Sequence, residues 1–303
     1  GYKRQVPSRS CRVVSIAHSE LLLTRGSSRL RRKETERVKF SPEQVPAHIA
    51  FIMDGNGRWA MNRGFLRLRG YEEGAVSLRR ITTHCRELGV REATFFALST
   101  ENYLRRPRRE ISFLMKLLKT YLVKERDMLM DNNIRLTTIG DVSSFPADVL
   151  ETLHETEILT SENDGMVMRL ALNYGSRQEI INAVRALCAD VRDGKVDPGR
   201  IEDISEDVFA AYLADPQMKD PDLVIRTAGE YRLSNFLLWQ SSYSELWITD
   251  ELWPDFDVEH LDEALVAYVD RDRKYGAVLD LSLIHISEPT RPRLSSYAVF
   301  CLK

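Results

Sequence analysis

Short apolar runs alternate with longer stretches of helical periodicity through the middle of this chain. The apolar runs predict buried strands at residues 48–53, 93–98, 134–139, 166–172 and 223–225. Apolar residues at helical spacing predict helices over residues 71–88, 109–132, 147–159, 177–192 and 258–275. Strands that alternate with helices are typical of a mostly parallel sheet with helices on both faces. We therefore predict a single α/β domain over residues 42–276.

The two ends of the chain lack this alternation. Residues 1–41 are rich in Arg, Lys and Ser, and we expect them to form a disordered basic extension. The interpretations that stay open are a transit peptide for a plastid or another organelle, and a solvated basic tail or translated upstream sequence. Residues 277–303 resemble a translated cloning adapter, because the helical pattern stops near Leu281 and then Pro289 and Pro292 prevent a longer helix. We expect this tail to lie outside the domain.

Composition and charge indicate a globular protein rather than a disordered or nucleic-acid-binding one. Of 303 residues, 43% are hydrophobic and 29% are charged, and the formal net charge is −2. The four cysteines (Cys11, Cys85, Cys188 and Cys301) form no C-x-x-C pair, which argues against a zinc knuckle or a disulfide framework. Scattered cysteines favour a reducing compartment such as the cytoplasm. No apolar run approaches the roughly 20 residues of a membrane-spanning helix.

Polar clusters come directly after four of the predicted strands, at residues 54–58, 99–102, 173–175 and 226–230. The carboxyl ends of parallel strands meet at one edge of a sheet, and ligands of such sheets bind beyond that edge. We expect the four clusters to converge on one site.

The first of these clusters has the chemistry of a phosphate site. Gly55 and Gly57 lack Cβ atoms, so backbone N–H groups can approach an anion where a helix begins. Asp54 would repel a bare diphosphate, so its position favours a hard cation such as Mg²⁺ between the two. Arg58 and Arg67 supply forked donors to phosphate oxygens. The loop therefore predicts a diphosphate and Mg²⁺ site where positive charge stabilises a departing diphosphate.

Two other interpretations of the same loop remain open. The spacing Gly55-x-Gly57-x-x-Ala60 matches a dinucleotide-binding fingerprint, as in a nucleotide-binding oxidoreductase, although Arg58 is bulky where the backbone must approach closely. The acidic residue expected about 20 positions later is missing. The loop can also be a turn that binds no ligand, because turns favour these residue types.

Four segments read together resemble the cis-prenyltransferase family, typified by bacterial undecaprenyl diphosphate synthase. They are HIAFIMDGNGRWA at 48–60, ALSTENY at 97–103, DLVIRTAGEYRLSNFLLWQSSYSELWITDELWPDF at 222–256 and RDRKYG at 271–276. The resemblance covers about residues 46–276. It implies a homodimer in which each subunit has a central, mostly parallel sheet and a hydrophobic tunnel between helices and sheet.

The resemblance also implies an activity. It implies a Mg²⁺-dependent transferase that condenses isopentenyl diphosphate onto an allylic diphosphate, namely farnesyl diphosphate, with Z stereochemistry. The implied product is a long-chain polyprenyl diphosphate, undecaprenyl diphosphate, and its release involves peripheral contact with lipid or a membrane. A family member can instead be a non-catalytic partner subunit, but such subunits lack the aspartate and arginines that are present here.

Individual residues receive roles from the same resemblance. Asp54 and Asn102 match catalytic positions, and Asp54 also matches the magnesium ligand, with Glu245 as a second acid that acts across the dimer. The ligands of isopentenyl diphosphate are matched by Arg226, Arg232 and Ser234. The other matched substrate-binding positions are Gly55, Asn56, Gly57, Arg58, Trp59, Arg67, Tyr71, Ser99, Thr100, Glu101, Tyr103 and Arg105.

Some positions depart from the family pattern. Tyr71 and Tyr231 stand where the family usually has His, and Ala228 replaces a usual Gly. The segment 104–107 is one residue longer than the common form, which leaves open whether Arg105 or Arg106 faces the site. Helices 71–88 and 109–132 are expected to wall the tunnel, and the candidate lining residues are Phe113, Leu114, Leu117 and Leu118.

Overall fold

The computed structural model describes residues 40–271, which form a six-stranded sheet and nine α-helices. The strands are β1 (His48–Ile52), β2 (Glu92–Ser99), β3 (Ile134–Ile139), β4 (Met166–Tyr174), β5 (Leu223–Arg226) and β6 (Glu245–Ile248). The helices are α1 (Asn56–Asn62), α2 (Arg67–Leu88), α3 (Thr100–Arg105), α4 (Arg108–Lys124), α5 (Arg126–Asp131), α6 (Ala147–Leu159), α7 (Ser176–Arg192), α8 (Glu206–Ala210) and α9 (Val258–Val269). None of the helices in this part of the chain is both long and apolar enough to span a bilayer.

The sheet confirms the predicted parallel architecture. Its strand order is β3-β4-β2-β1-β5-β6, and every pairing within residues 40–271 is parallel. The central strand β1 is buried along its whole length, as expected of a strand covered on both faces. All five strands predicted from apolar runs form at the predicted places, within about two residues at either end.

Successive side chains of each strand point to opposite faces of the sheet, which divides the core in two. On β1, Ile49 and Phe51 join a large cluster that includes buried residues of α2, α4, α5, α6 and α9. Ala50 and Ile52 join a smaller cluster with Tyr174, Phe236 and Leu237. Helix α7 contacts this second side, because Tyr174 donates a 2.5 Å hydrogen bond to Glu179 of α7.

The structure differs from the predicted elements in several places. Helix 109–132 is interrupted at Glu125, and the apolar pattern hides this break because Met128 and Leu129 beyond it are still buried. Strand β6 and helices α3 and α8 were not predicted, because four to six residues are too few to show a period. Helix α9 ends at Val269 rather than at residue 275, and residues beyond 271 lie outside the described part of the chain.

The predicted terminal segments fall almost entirely outside the described residues. Residues 1–39 and the tail 277–303 are not described. Phe40, which the sequence analysis assigned to the basic extension, packs against the large core cluster. The folded domain therefore begins by residue 40.

Candidate active site

The connections that leave β1 and β5 lead to opposite sides of the sheet, and a polar loop follows each of these two strands. From β1 the chain leads to β2 on one side of the sheet, and from β5 it leads to β6 on the other. Such a switch point leaves a crevice beyond the carboxyl ends of the two strands. Asp54 and Arg226 meet there, with Nη2 of Arg226 donating to Oδ2 of Asp54 at 2.8 Å.

A cavity of about 800 Å³ lies at this crevice, between the sheet and helices α2 and α4. Its polar half contains Asp54, Asn56, Tyr71, Ser99, Glu101, Asn102, Arg105, Arg106, Arg226, Arg232, Ser234 and Asn235. Its apolar half contains Ala75, Leu78, Leu114, Leu117, Leu118 and Leu170. Both predicted tunnel helices therefore contribute, although Phe113 is not among the lining residues. A cavity of this size, in which polar groups converge beside an apolar wall, is typical of a small-molecule site.

The loop after β1 holds Asp54 in a fixed position. The carboxylate accepts a 2.7 Å hydrogen bond from the Gly55 amide, and the Asp54 carbonyl accepts one of 2.7 Å from the Thr227 hydroxyl. Gly55 has φ +100°, a conformation that L side chains rarely adopt, and it caps α1. A Cβ atom there would lie 2.8 Å from Cδ2 of Leu252. The sequence suggested glycine here for close approach to an anion, whereas the structure requires it for its backbone conformation and for the space beside Leu252.

Helix α2 approaches the start of α1 unusually closely through two glycines. A Cβ atom on Gly70 would lie 1.9 Å from the carbonyl oxygen of Asn56, and one on Gly74 would lie 2.2 Å from its Oδ1. Asn56 Nδ2 donates to the Met53 carbonyl at 3.1 Å. These contacts place Asn56 between the two helices at the edge of the cavity.

Arg226 is the most buried cation of the site, at 4% exposed. One guanidinium nitrogen donates to the carbonyl of Arg232 and, at 2.8 Å, to the Ser234 hydroxyl. Its Nε is buried and has no hydrogen-bond partner among the described residues. A buried guanidinium with an unused donor is suited to a charged oxygen ligand.

Tyr71, which also lines the cavity, is the centre of a second polar cluster. Its hydroxyl donates to Glu110 at 2.6 Å and accepts from Arg106 at 2.8 Å. Burial, followed by the bond to Glu110, raises the pKa of Tyr71, so the hydroxyl stays protonated at neutral pH. The hydrogen bond with Tyr71 is also the main cause that raises the pKa of Arg67. Tyr71 thus holds two arginines in place.

The extra residue before Pro107 puts two arginines beside the cavity. Arg105 and Arg106 both line it. Arg106 is the more fixed of the two, because it also lies 3.2 Å from Glu110 and its guanidinium stacks over the Tyr71 ring at 5.3 Å. The sequence left open whether Arg105 or Arg106 faces the site, and both of them do.

The loop after β2 brings its polar residues to the same place. Ser99 caps α3 by accepting a 3.1 Å hydrogen bond from the Asn102 amide, which fixes the turn. Ser99, Glu101 and Asn102 line the cavity, whereas the Thr100 hydroxyl donates to the Asn173 carbonyl at 3.1 Å. Burial alone would raise the pKa of Glu101, but hydrogen bonds led by that from Asn235 outweigh it and lower the pKa.

The remaining predicted substrate-binding residues do not line the cavity. Arg58 still reaches the polar half, with Nη2 3.8 Å from Asp54, and Arg67 packs against Gly57. Trp59 instead donates a 2.7 Å hydrogen bond to Asp255. Tyr103 donates to the Ser144 carbonyl at 3.2 Å. Trp59 and Tyr103 therefore contact residues outside the cavity lining.

Glu245 lies away from Asp54 within the chain. It begins β6 opposite Leu223, whereas Arg226 is opposite Ile248, so Glu245 is about 10 Å short of the cavity end of the sheet. Its carboxylate is 2.5 Å from Nη1 of Arg271. Within residues 40–271, no three His, Cys, Asp or Glu side chains are grouped closely enough to hold a metal ion.

Two departures from the family pattern have visible structural effects. Ala228 adopts φ +73°, in the left-handed region that favours glycine, so this residue carries backbone strain. Tyr231 is 83% exposed and does not line the cavity. Residues that the sequence analysis missed are Glu110 and Asn235, whose partners lie 39 and 134 positions away in the chain.

Comparisons with known proteins agree with this architecture. The profile of the undecaprenyl diphosphate synthase family (Prenyltransf) matches residues 52–276. The isoprenyl transferase of Clostridium perfringens (strain 13 / Type A) is 44% identical over 246 residues, covering 81% of this chain and 96% of the relative. That of Bacillus subtilis (strain 168) is 44% identical over 235 residues, covering 78% and 89%.

Two solved structures are similar in fold and sequence. Lavandulyl diphosphate synthase from Lavandula x intermedia, in complex with dimethylallyl diphosphate, has a TM-score of 0.74 and 36% identity, covering 77% of this chain and 99% of that one. A probable undecaprenyl diphosphate synthase from Campylobacter jejuni has a TM-score of 0.62 and 31% identity, covering 76% and 98%. These matches set aside the interpretation of the chain as a nucleotide-binding oxidoreductase. The chain belongs to the undecaprenyl diphosphate synthase family and is a cis-prenyltransferase.

Proposed function

We propose that this enzyme extends farnesyl diphosphate with isopentenyl diphosphate units to give undecaprenyl diphosphate. The observation that carries the proposal is a cavity in which an arginine-rich polar half adjoins an apolar half. The polar half suits a diphosphate, and the apolar half suits a growing hydrocarbon chain. The bound dimethylallyl diphosphate of the lavender enzyme supports an allylic diphosphate as one substrate.

The two arginine clusters support two separate diphosphate positions. Arg67 and Arg106, held by Tyr71 beside the start of α1, would bind the allylic diphosphate. Arg226 and Arg232, beside Ser234, would bind isopentenyl diphosphate. In the reaction the bond from the allylic carbon to its diphosphate breaks and a carbon–carbon bond to isopentenyl diphosphate forms. Isopentenyl diphosphate then loses a proton from C2 to restore a double bond, and an oxygen of the departing diphosphate would accept that proton. The first cluster would stabilise the charge that develops on the departing diphosphate.

Asp54 is suited to Mg²⁺ only together with a substrate. Magnesium in enzymes is commonly held by one or two carboxylates plus substrate phosphates, so a single carboxylate beside a phosphate site fits. Asp54 is 35% exposed, lines the cavity and would supply that carboxylate. Bound magnesium would add positive charge to the leaving diphosphate. Arg226, which now donates to Asp54, would then turn to the incoming phosphate oxygens.

We also propose that the enzyme is a homodimer in which Glu245 serves the metal site of the partner subunit. Its position at the amino end of β6 favours this over a role beside Asp54 of the same subunit. β6 is an edge strand, and the neighbouring side chains of Tyr243 and Leu246 are 72% and 44% exposed. Edge strands with exposed apolar side chains are commonly covered by another chain.

The activity is tested with purified protein, radiolabelled isopentenyl diphosphate, farnesyl diphosphate and Mg²⁺, with extraction into butanol. We expect extracted label that requires both substrates and is lost with EDTA, and dephosphorylated product that migrates with undecaprenol. A shorter polyprenol would overturn the undecaprenyl assignment. No extension of farnesyl diphosphate, but extension of dimethylallyl diphosphate, would overturn the proposed starter.

A further inference from the structure

Asn235 lies between the two loops that form the polar half of the cavity. It follows Ser234, which accepts a hydrogen bond from Arg226, and it lines the cavity itself. Its φ is +65°, in the left-handed region that asparagine tolerates better than most residues. The position therefore combines an unusual backbone conformation with a place beside the reacting groups.

The first link made by Asn235 is to the start of α7. Its backbone carbonyl accepts a 2.8 Å hydrogen bond from the Ser176 amide, and its side-chain oxygen accepts one of 2.9 Å from the Arg177 amide. These are the first two N–H groups of α7, which have no partner within the helix. In return, the Ser176 hydroxyl accepts a 3.0 Å hydrogen bond from the Leu238 amide. The loop that carries Ser234 is thus fastened to a long helix.

The second link is to the loop after β2. The side-chain nitrogen of Asn235 donates a 2.9 Å hydrogen bond to Glu101, whose neighbour Asn102 lines the cavity. Because the side-chain oxygen and nitrogen both have suitable partners, only one orientation of the amide satisfies them. Gly175 allows this contact, since a Cβ atom there would lie 2.8 Å from the Asn235 nitrogen.

We propose that Asn235 is a positioning residue that sets the isopentenyl diphosphate ligands, Arg226 and Ser234, at a fixed distance from Glu101 and Asn102. The inference rests on the proposed function, because it assigns those ligands to isopentenyl diphosphate. Asn235 acts through the residues that it holds. Its loss should therefore affect the binding of isopentenyl diphosphate and turnover, and leave the allylic site unchanged.

Asn235→Gly tests the role without adding charge, because glycine accepts φ +65° and removes only the side-chain bonds. We expect KM for isopentenyl diphosphate to rise about tenfold and kcat to fall, with KM for farnesyl diphosphate within about twofold of wild type. Calorimetric binding of isopentenyl diphosphate should weaken by the same factor as KM rises. A wild type that makes no product would overturn the proposed function and this inference together.

A reversed hydrogen bond provides the specific control. Asn235→Asp keeps the acceptor for α7 but places a carboxylate against Glu101, and the double variant with Glu101→Gln restores a donor and an acceptor in exchanged positions. We expect the double variant to reverse much of the rise in KM for isopentenyl diphosphate that Asn235→Asp causes. Asn182→Asp, on the exposed side of α7, should leave this KM unchanged. An active wild type with unchanged KM in Asn235→Gly, or equal changes for both substrates, would overturn this inference alone.

Discussion

At the scale of single residues, Asp54 is the carboxylate to which we assign the metal, and it lines the cavity. Its carboxylate accepts hydrogen bonds from the Gly55 amide and Arg226, and its backbone carbonyl accepts one from the Thr227 hydroxyl, so its own loop already holds it in place. Such preorganisation reduces the rearrangement that binding and reaction require.

Replacing Asp54 by Asn removes the charge and keeps only one of the two acceptor oxygens that Gly55 and Arg226 use. We expect turnover at saturating Mg²⁺ to fall on the order of 10²–10³-fold, because a neutral amide is a poor magnesium ligand. Steady-state kinetics measure the loss, and thermal unfolding checks that the fold survives. Asp193→Asn, on an exposed carboxylate after α7, is the matched control. Near-normal turnover of Asp54→Asn would contradict the metal assignment.

Alanine substitutions at Gly55 and Gly64 distinguish the cost of backbone strain from the cost of crowding. Both have positive φ, +100° and +73°, but a Cβ atom at Gly64 has nothing within 4 Å, whereas one at Gly55 meets Leu252 and Ala228. We expect Gly64→Ala to lower the free energy of unfolding by about 1 kcal/mol. Gly55→Ala should lose a further 1–3 kcal/mol or so from crowding. Urea unfolding measures both, and equal losses would mean that the loop relaxes around the new methyl group.

At the scale of elements, the site depends on how strands are held together at the end of the sheet opposite the cavity. His48, the first residue of β1, is buried and lies 2.8 Å from the Thr94 hydroxyl of β2 and 2.6 Å from the Lys219 carbonyl. Arg169 of β4 bridges Glu92 and Asp215 nearby. The buried cluster around His48 and Arg169 therefore joins β1, β2 and β4 to the segment that leads into β5.

His48 should make stability depend on pH. Burial, partly offset by Glu92, lowers its pKa from 6.5 to about 4. Between these values the unfolded chain binds a proton that the folded chain does not, so this stabilisation is complete above pH 6.5 and is lost as the pH falls toward 4. The full loss is about 3 kcal/mol.

Urea unfolding of wild type and His48→Gln between pH 7 and 4.5 measures this contribution. The wild type should lose more stability over this range than the variant, because carboxylate titrations are common to both. His154→Gln, at an exposed histidine, controls for the removal of an imidazole. Parallel pH profiles for the wild type and His48→Gln would show that His48 does not titrate as expected.

At the scale of the whole molecule, one cavity holds both the polar groups for the diphosphates and an apolar wall for the growing hydrocarbon chain. The large core cluster and the cavity share the same face of the sheet, where α2 and α4 contribute both packing residues and cavity lining. Each buried CH₂ contributes about 0.8 kcal/mol, so a product several isoprene units long should leave the cavity slowly in plain buffer.

We therefore expect product release, rather than chemistry, to limit steady-state turnover. Mild detergent should raise the steady-state rate and leave the first turnover unchanged, because it accepts the hydrocarbon chain. Rapid-quench measurements should show a burst of extended product followed by a slower phase. A linear time course that detergent does not alter would indicate a short product or a slow chemical step.

The sequence by itself determined the sheet and the edge at which the site forms. Apolar runs placed five strands, and the rule that ligands bind beyond the carboxyl ends of parallel strands placed three of the four polar loops at one cavity, which residues 173–175 do not line. The motif residues Asp54, Asn102 and Arg226 do line one cavity. These features follow from local periodicity and from the regular geometry of a parallel sheet.

Only the tertiary structure decided which side chains meet. It turns Trp59 toward Asp255, sets Glu245 away from Asp54 and joins Asn235 to Glu101 across 134 positions. It also orders the strands so that β1 and β5 are neighbours. Such contacts depend on packing between segments far apart in the chain, and neither local propensity nor the spacing of residues within a motif encodes those distances.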